Sequence, residues 1–244
     1  MNNKKLKIFK FSQNIWVCEL YLPWHTSGIP GVKNTSYRQE RSVQFTEPVF
    51  GGVEFTDEEV KKINSFPTLK KQIEWSAGRV CIKKLAKLIL GKKCTDIFIS
   101  YKEKGAPYIT NYPDTGISIS HSGDYAMALI NIGSGRAALD IETVKSRNFD
   151  AIRKVALSER ENSQIPHSAD ELVKIFTVKE AYMKYIEMGF HESLKKIEII
   201  HGDLYHDSRL MENISFLSYN VDESHIATIL YEETEDLCSN EIGS

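Results

Sequence analysis

The sequence predicts an α+β fold made of two similar lobes, and three features carry that expectation. A long helical pattern occurs once in each half, at residues 68–93 and again at about 170–189. Each is followed by a short strand pattern, a turn, and then two adjacent strand patterns. The strand segments also share letters: "ISISHSGDYAMALI" and "ISFLSYNVDESHIATIL" both open on Ile-Ser and end on alternating small and apolar residues. Repeated order of this kind points to an internal duplication, set against the fact that strands of similar burial draw on the same few residues. Two such halves would pack as a pseudo-dimer with a cleft between them, a favoured place for a binding site. We divide the chain into residues 1–120 and 121–244.

The chain has 244 residues, of which 41% are hydrophobic and 26% charged, enough for a sizeable core in one domain or two. A formal net charge of -2 and a pI near 6.4 argue against a protein whose main business is unspecific binding to nucleic acid or anionic membrane. Any anion site must then be local. Cys18, Cys81, Cys94 and Cys238 are scattered without a CxxC or zinc-like spacing, as expected in a reducing cytoplasm. Polar residues interrupt every apolar run of the first 24 residues, so we expect a soluble, unprocessed chain.

Taken in order, residues 5–23 suit strands, and the Gly, Pro, Ser and Arg-rich stretch after them reads as a long loop; the segment 24–50 carries no interpretable chemistry. "FTDEEVKKINSF" starts a helix with Thr56 as N-cap and acids in the first turn. The longest helix follows, with Ile73, Ala77, Val80, Cys81, Leu85 and Leu88 at three- and four-residue steps and Gly91 as C-cap. "DIFISYKEKGAPYIT" is a strand and turn. Residues 117–144 read as two strands, one ending at His121 between two serines and the next ending at Asp140 and Glu142. A second helix is expected from about Asp170 to a cap at Gly189, and "KKIEII", "NISFLSYN" and "HIATILYEE" are strand-like.

Asp140 and Glu142 share one face of an extended strand, because side chains alternate with period two. A pair of carboxylates suits Mg2+, which takes hard oxygen ligands and keeps several waters; an acidic strand end open to solvent is the alternative. Glu180 and Lys184 stand four residues apart on one helix face, either an exposed ion pair or charges in an apolar setting with Phe176, Ala181 and Met183. His121 is either a structural hydrogen-bonder or, with Ser120 and Ser122, a set of phosphate donors. Arg79, after the small residues Ala77 and Gly78, could bring its fork close to another element or a ligand, or be a solvated helix arginine. Acids for a metal together with His, Arg and Lys for phosphate oxygens describe phosphoryl-type transfer.

The motifs "KGAPYI", "ISISHS", "ALDIE", "LSERE" and "FTVKEAYMK" occur in an order and approximate spacing that resembles the 4'-phosphopantetheinyl transferases which activate siderophore, peptide and polyketide synthetases. "KKQIEWSAGR" upstream is similar to a helix of the enterobactin-type branch, so the resemblance spans roughly residues 68–190. It implies a two-lobed α+β pseudo-dimer with the active site in the cleft between the lobes. The first lobe would take the nucleotide of coenzyme A, and the second Mg2+ and the catalytic acids.

The implied activity is that of a holo-[acyl-carrier-protein] synthase. It transfers the 4'-phosphopantetheine arm of coenzyme A to a serine of an apo acyl or peptidyl carrier protein, with release of adenosine 3',5'-bisphosphate. By the same resemblance Asp140, Glu142 and Glu180 would hold Mg2+, with Glu180 alternatively the base, and Lys184 would meet the pyrophosphate. Arg79 and His121 would contact the nucleotide 3'-phosphate, Gly105, Pro107 and Ser120 would border the adenine, and Glu161 would be a further acid lining the site. A cytoplasmic monomer acting on a carrier protein, with no nucleic acid or membrane partner, is expected.

Three positions depart from the family pattern: Ala106 replaces a usual lysine, Ala138 a frequent glycine and Phe176 a usual tryptophan. The loss at Ala106 bears on coenzyme A affinity, and Lys104 or Lys71 could compensate. A basic patch at Lys83, Lys84 and Lys87 is expected to receive an acidic carrier, or to be only a solvated helix face. The rival functions are a metal-dependent phosphohydrolase on a nucleotide or diphosphate, and a noncatalytic binder of coenzyme A or carrier protein.

Overall fold

The computed structural model describes residues 6–23, 41–45, 49–50, 52–145, 148–163 and 168–233. Most of the expected long loop, and Cys238, lie outside the described residues. The strands of the first half are β1 (Leu6–Lys10), β2 (Ile15–Tyr21), β3 (Val49–Phe50), β4 (Val53–Glu54), β5 (Ile99–Tyr101), β6 (Pro107–Ile109), β7 (Gly116–Ser122) and β8 (Tyr125–Asn131). Between β4 and β5 lie the helices α1 (Asp57–Asn64) and α2 (Leu69–Leu90). Then come β9 (Ala137–Thr143), α3 (Phe149–Ala156), α4 (Glu159–Asn162) and α5 (Ala169–Tyr185). The chain continues through β10 (Ile197–Ile200), β11 (Asp203–His206), β12 (Arg209–Leu210), β13 (Ile214–Asp222) and β14 (His225–Glu232).

Alternation along the strands decides the layers. In β2, Ile15 and Val17 face one way and Cys18 and Leu20 the other; in β8, Met127 and Leu129 separate from Ala126, Ala128 and Ile130 in the same manner. Both faces are apolar, so both must be covered. The antiparallel sheet β1-β2-β8-β7 therefore takes α2 on one face. Its other face packs on the sheet β13-β14-β9 through Leu139, Ile141, Ala227 and Ile229. The outer face of that second sheet is covered by α5, where Val178, Ala181 and Tyr182 meet Leu230. The result is four layers: helix, sheet, sheet, helix.

The two halves repeat one order. In the first, β2 leads through α1 and α2 to a 3-10 turn at Cys94–Asp96, the β5–β6 hairpin, β7 and β8. In the second, β9 leads through an additional helix, α3, and then α4 and α5 to a 3-10 turn at Leu194–Lys196, the β10–β11 hairpin, the additional short strand β12, β13 and β14. A buried ion pair is repeated as well. Thr56 caps α1 in a box with Glu59, whose Oε2 lies 2.6 Å from Lys83 Nζ of α2. Ser158 caps α4 in a box with Glu161, whose Oε2 lies 2.6 Å from Lys179 Nζ of α5. Each ammonium also donates to two backbone carbonyls, of Glu54 and Cys94 in one half and of Ala156 and Leu194 in the other.

Several expectations change. Residues 117–144 hold three strands rather than two, because the β8–β9 connection at 132–136 breaks the run. The division at residues 120 and 121 falls inside β7. The second long helix ends at Tyr185, short of Gly189. Glu187 takes the left-handed position (φ 57), and the Glu187 and Met188 N–H groups donate back to the carbonyls of Lys184 and Met183, which closes the helix without a glycine. Leu88, placed on the apolar stripe, is 57% exposed. Lys83 is fully buried against Glu59 and drops out of the expected basic patch, whereas Lys87 is exposed.

Candidate active site

The site is built where two sheet edges meet. β7 is the last strand of the first sheet and β9 the last of the second, so each has a free edge of backbone donors and acceptors. Three serines of β7, two residues apart and so on one face, close that seam by side-chain bonds. Ser118 Oγ accepts from the Leu139 N–H (3.1 Å) and donates to the Leu139 carbonyl (3.3 Å). Ser120 Oγ donates to Asp140 Oδ1 at 2.7 Å. Ser122 Oγ accepts from the Thr143 N–H (3.1 Å) and donates to Glu142 Oε2 (2.6 Å). The strand with the histidine and the strand with the acids are thus brought together across the seam, not within one sheet.

Lys184, near the end of α5, caps the same seam. Its ammonium reaches the Ile119 carbonyl of β7 (3.3 Å), the Leu139 carbonyl of β9 (3.2 Å) and Asp140 Oδ1 (2.8 Å). Asp140 is buried, and its other oxygen, Oδ2, has no hydrogen-bond partner among the described residues. Glu180, one turn before Lys184, is half-buried on α5.

A cleft of about 720 Å³ opens beside this cluster, with walls from α2, the β5–β6 hairpin, β7, the β8–β9 connection and the end of α5. Lys184, Arg79, His121, Gly105 and Pro107 line it, as do Ala106, Lys71 and Lys104. The hairpin tip reaches the segment after α5, where Lys102 Nζ contacts both oxygens of Glu187 (2.6 and 2.8 Å) and Lys104 Nζ lies 2.9 Å from the Met188 sulfur.

Arg79 is not a solvated helix arginine. It is 3% exposed, its guanidinium lies 4.4 Å from the Trp75 ring centre and 5.2 Å from that of Tyr101, and it donates to the Tyr101 hydroxyl at 3.1 Å. Its Nε sits 3.8 Å from Glu59 Oε1, so the acid that neutralises Lys83 also steadies Arg79. Gly78 makes this close approach possible, since a Cβ there would stand 2.8 Å from Ile119 Cγ2 of β7.

His121 points to the side of β7 opposite the serines. Its Nδ1 lies 3.7 Å from Glu74 Oε2 of α2. Burial pushes the imidazole pKa below its ordinary value, while Glu74 works against that shift and Lys71, Lys184 and Lys70 add to it.

Five expected site residues, Asp140, Glu142, Glu180, Ser120 and Glu161, are not part of the cleft wall. Glu161 is fully enclosed, and its carboxylate is occupied by Lys179, the Ser158 N–H and the Ile199 N–H (2.9 Å), so it is a structural acid that does not line the cleft. Ser120 is buried beneath Asp140 and is not part of the cleft wall. Residue reasoning also missed Trp75, Tyr101, Lys102 and Arg136 as cleft-lining groups. Trp75 stands four residues before Arg79, a spacing that could have revealed it; Arg136 sits in a connection with no periodic signal.

Asp140 and Glu142 offer oxygen donors only, each steadied by a serine, and the orphaned Asp140 Oδ2 calls for a further cationic or donor group. That chemistry fits a hard, partly hydrated dication. Among the described residues no group of three His, Cys, Asp or Glu stands close enough together to hold a metal ion, so the expected three-acid set with Glu180 is not assembled. Among those residues no helix is long and apolar enough to cross a membrane.

Residues 137–229, which begin at β9 and run into β14, match the family model of the 4'-phosphopantetheinyl transferase superfamily. The chain is 34% identical over 99 residues to a holo-[acyl-carrier-protein] synthase of Streptococcus agalactiae serotype III (strain NEM316), covering 37% of this chain and 79% of that protein. It is 24% identical over 204 residues to the human L-aminoadipate-semialdehyde dehydrogenase-phosphopantetheinyl transferase, covering 70% of this chain and 65% of that protein.

Proposed function

Because the chain belongs to the 4'-phosphopantetheinyl transferase superfamily, we propose that it moves the 4'-phosphopantetheine arm of coenzyme A to a serine of an apo acyl or peptidyl carrier protein. The serine oxygen forms a bond to the phosphorus that carries the pantetheine arm. The bond from that phosphorus to the bridging oxygen breaks, adenosine 3',5'-bisphosphate leaves, and the serine proton passes to a base, a role we assign to Glu180. The observation that carries this reading is the position of Lys184, which bonds Asp140 Oδ1 and also lines the cleft together with Arg79 and His121.

The protein's own groups divide the work. Arg79, held between two aromatic rings, and His121 receive the nucleotide phosphate at one wall. Lys184 offers positive charge toward the pyrophosphate at the seam, and Gly105 and Pro107 border the base. Mg2+ is the cation we assign to Asp140 and Glu142; when bound, it neutralises pyrophosphate oxygens. Preorganised charge of this sort is what phosphoryl-type transfer needs.

The repeated element order and the paired Glu59–Lys83 and Glu161–Lys179 bridges support a pseudo-dimer of two lobes. They favour a boundary in the β8–β9 connection at 132–136 over one at 120. Such a chain would work as a monomer in the cytoplasm. The phosphohydrolase reading would require a positioned water and no carrier, and a noncatalytic binder would take up coenzyme A without any mass gain on a carrier protein.

Intact-mass spectrometry of apo carrier proteins incubated with this protein, coenzyme A and Mg2+ tests the proposal. A phosphopantetheine-sized gain that requires Mg2+ and fails with Asp140→Ala and Glu180→Ala is expected. Absence of coenzyme A binding would sink it.

A further inference from the structure

We propose that Ser122 is a positioning residue that aims the Glu142 carboxylate from across the seam, an inference that rests on the reading of Glu142 as a cation-holding group. Ser122 and Glu142 belong to different sheets, so nothing in the pairing of either strand sets their relation. The hydroxyl is held at both ends: Oγ accepts from the Thr143 N–H at 3.1 Å and donates to Glu142 Oε2 at 2.6 Å. With one lone pair turned to that N–H, the O–H is directed into the carboxylate. A short bond to a charged acceptor is among the stronger hydrogen bonds, and it takes one oxygen of Glu142 out of free rotation.

The neighbouring serines separate aiming from mere closure. Ser120 makes the same kind of bond to Asp140 (2.7 Å), whereas Ser118 bonds the Leu139 backbone and touches neither acid. One strand thus carries two hydroxyls that orient carboxylates and one that only joins the sheets. Outer hydrogen bonds to ligating carboxylates typically alter metal affinity by about 10- to 100-fold.

The test uses the full chain saturated with coenzyme A, without carrier protein, and follows Mn2+ binding by electron paramagnetic resonance beside thermal unfolding. Ser122→Ala should weaken Mn2+ binding by about 10-fold or more. Ser118→Ala should lower the Tm and leave Mn2+ binding unchanged. The pair Ser122→Thr and Ser122→Val, close in shape but differing in the hydroxyl, covers a failure of the alanine variant to fold; the threonine variant should bind Mn2+ like the wild type and the valine variant should not. Wild-type Mn2+ affinity in Ser122→Ala or Ser122→Val would overturn the inference, as would equal losses in Ser118→Ala and Ser122→Ala. Failure of the wild type to bind Mn2+ with coenzyme A in place would overturn the cation reading, and this inference with it.

Discussion

Lys184 Nζ stands 2.8 Å from Asp140 Oδ1, and the same ammonium donates to the carbonyls of Ile119 and Leu139. An ammonium has three donors, so the lysine is already saturated by the protein while it lines the cleft. A phosphate oxygen reaching Lys184 must replace one of these acceptors.

Lys184 is therefore expected to contribute to both transfer and stability. Lys184→Ala should lower kcat/KM for coenzyme A by about 100-fold or more, as loss of a preorganised donor does, and lower the Tm. Lys184→Arg should not restore the rate, because a planar fork cannot serve three acceptors arranged around a point charge. Initial rates by intact mass, read beside thermal melts, check this; wild-type rates in Lys184→Ala would contradict it.

Glu161→Gln should act on stability alone. The Glu161–Lys179 pair is wholly enclosed, and desolvation pushes the Lys179 pKa down against the pull of Glu161. Removing one charge strands the other, at a cost of about 3–5 kcal/mol. Urea unfolding should show that loss. The folded fraction should bind coenzyme A with unchanged affinity, since the pair is not part of the cleft wall; weakened binding would return Glu161 to the site.

Period-two alternation was enough to put Asp140 and Glu142 on one face. The same rule separates His121, which faces Glu74, from Ser120 and Ser122, which face β9, so the three do not form the single set of phosphate donors expected. It says which way a side chain points and nothing about what lies across from it. The seam was for that reason hidden, because nothing in the strand pattern shows that Ser118, Ser120 and Ser122 bond to β9. The same limit applies to Lys83 and Arg79. Each lies on a helix face that looks solvated until Glu59, capping another helix, is folded against it. The short helix α3, eight residues long, carries too few turns to stand out as a periodic pattern.

Gly78→Ala tests how tightly Arg79 is placed. The added methyl would meet Ile119 Cγ2 at 2.8 Å, and either α2 or β7 must give way. Overpacking of this kind costs about 1–3 kcal/mol, against which better helix propensity returns up to about 1 kcal/mol. Coenzyme A binding should weaken more than the Tm falls, because the shift carries Arg79 with it. Calorimetric titration and a melt, side by side, check the difference.

Ala106→Lys restores a cation at the cleft wall, where Lys102 is engaged by Glu187 and Lys104 lies against Met188. An exposed ion pair is worth about 0.2–1 kcal/mol, so coenzyme A should bind up to about fivefold more tightly at low ionic strength. The gain should fade in high salt. Titrations at two salt concentrations would show it, and a gain indifferent to salt would argue for a packing effect.

Binding of adenosine 3',5'-bisphosphate should take up a proton. Burial lowers the His121 pKa from its ordinary 6.5, with Glu74 opposing and Lys71, Lys184 and Lys70 adding to the shift, so the free protein holds the imidazole neutral near pH 7. For folding, the sign follows directly. The unfolded chain protonates first on acidification, so the contribution of the buried neutral ring is complete above 6.5 and is lost as pH falls through the lower folded value. A phosphate dianion against the ring reverses the shift, because the charged imidazole is then favoured. Affinity should accordingly rise as pH falls from about 7.5 toward about 6.5, before protonation of the phosphate itself, near about pH 6, opposes the gain. Calorimetry in two buffers of different ionisation enthalpy counts the protons taken up. His121→Gln should abolish the uptake, and a wild-type binding enthalpy independent of buffer would remove His121 from the phosphate site.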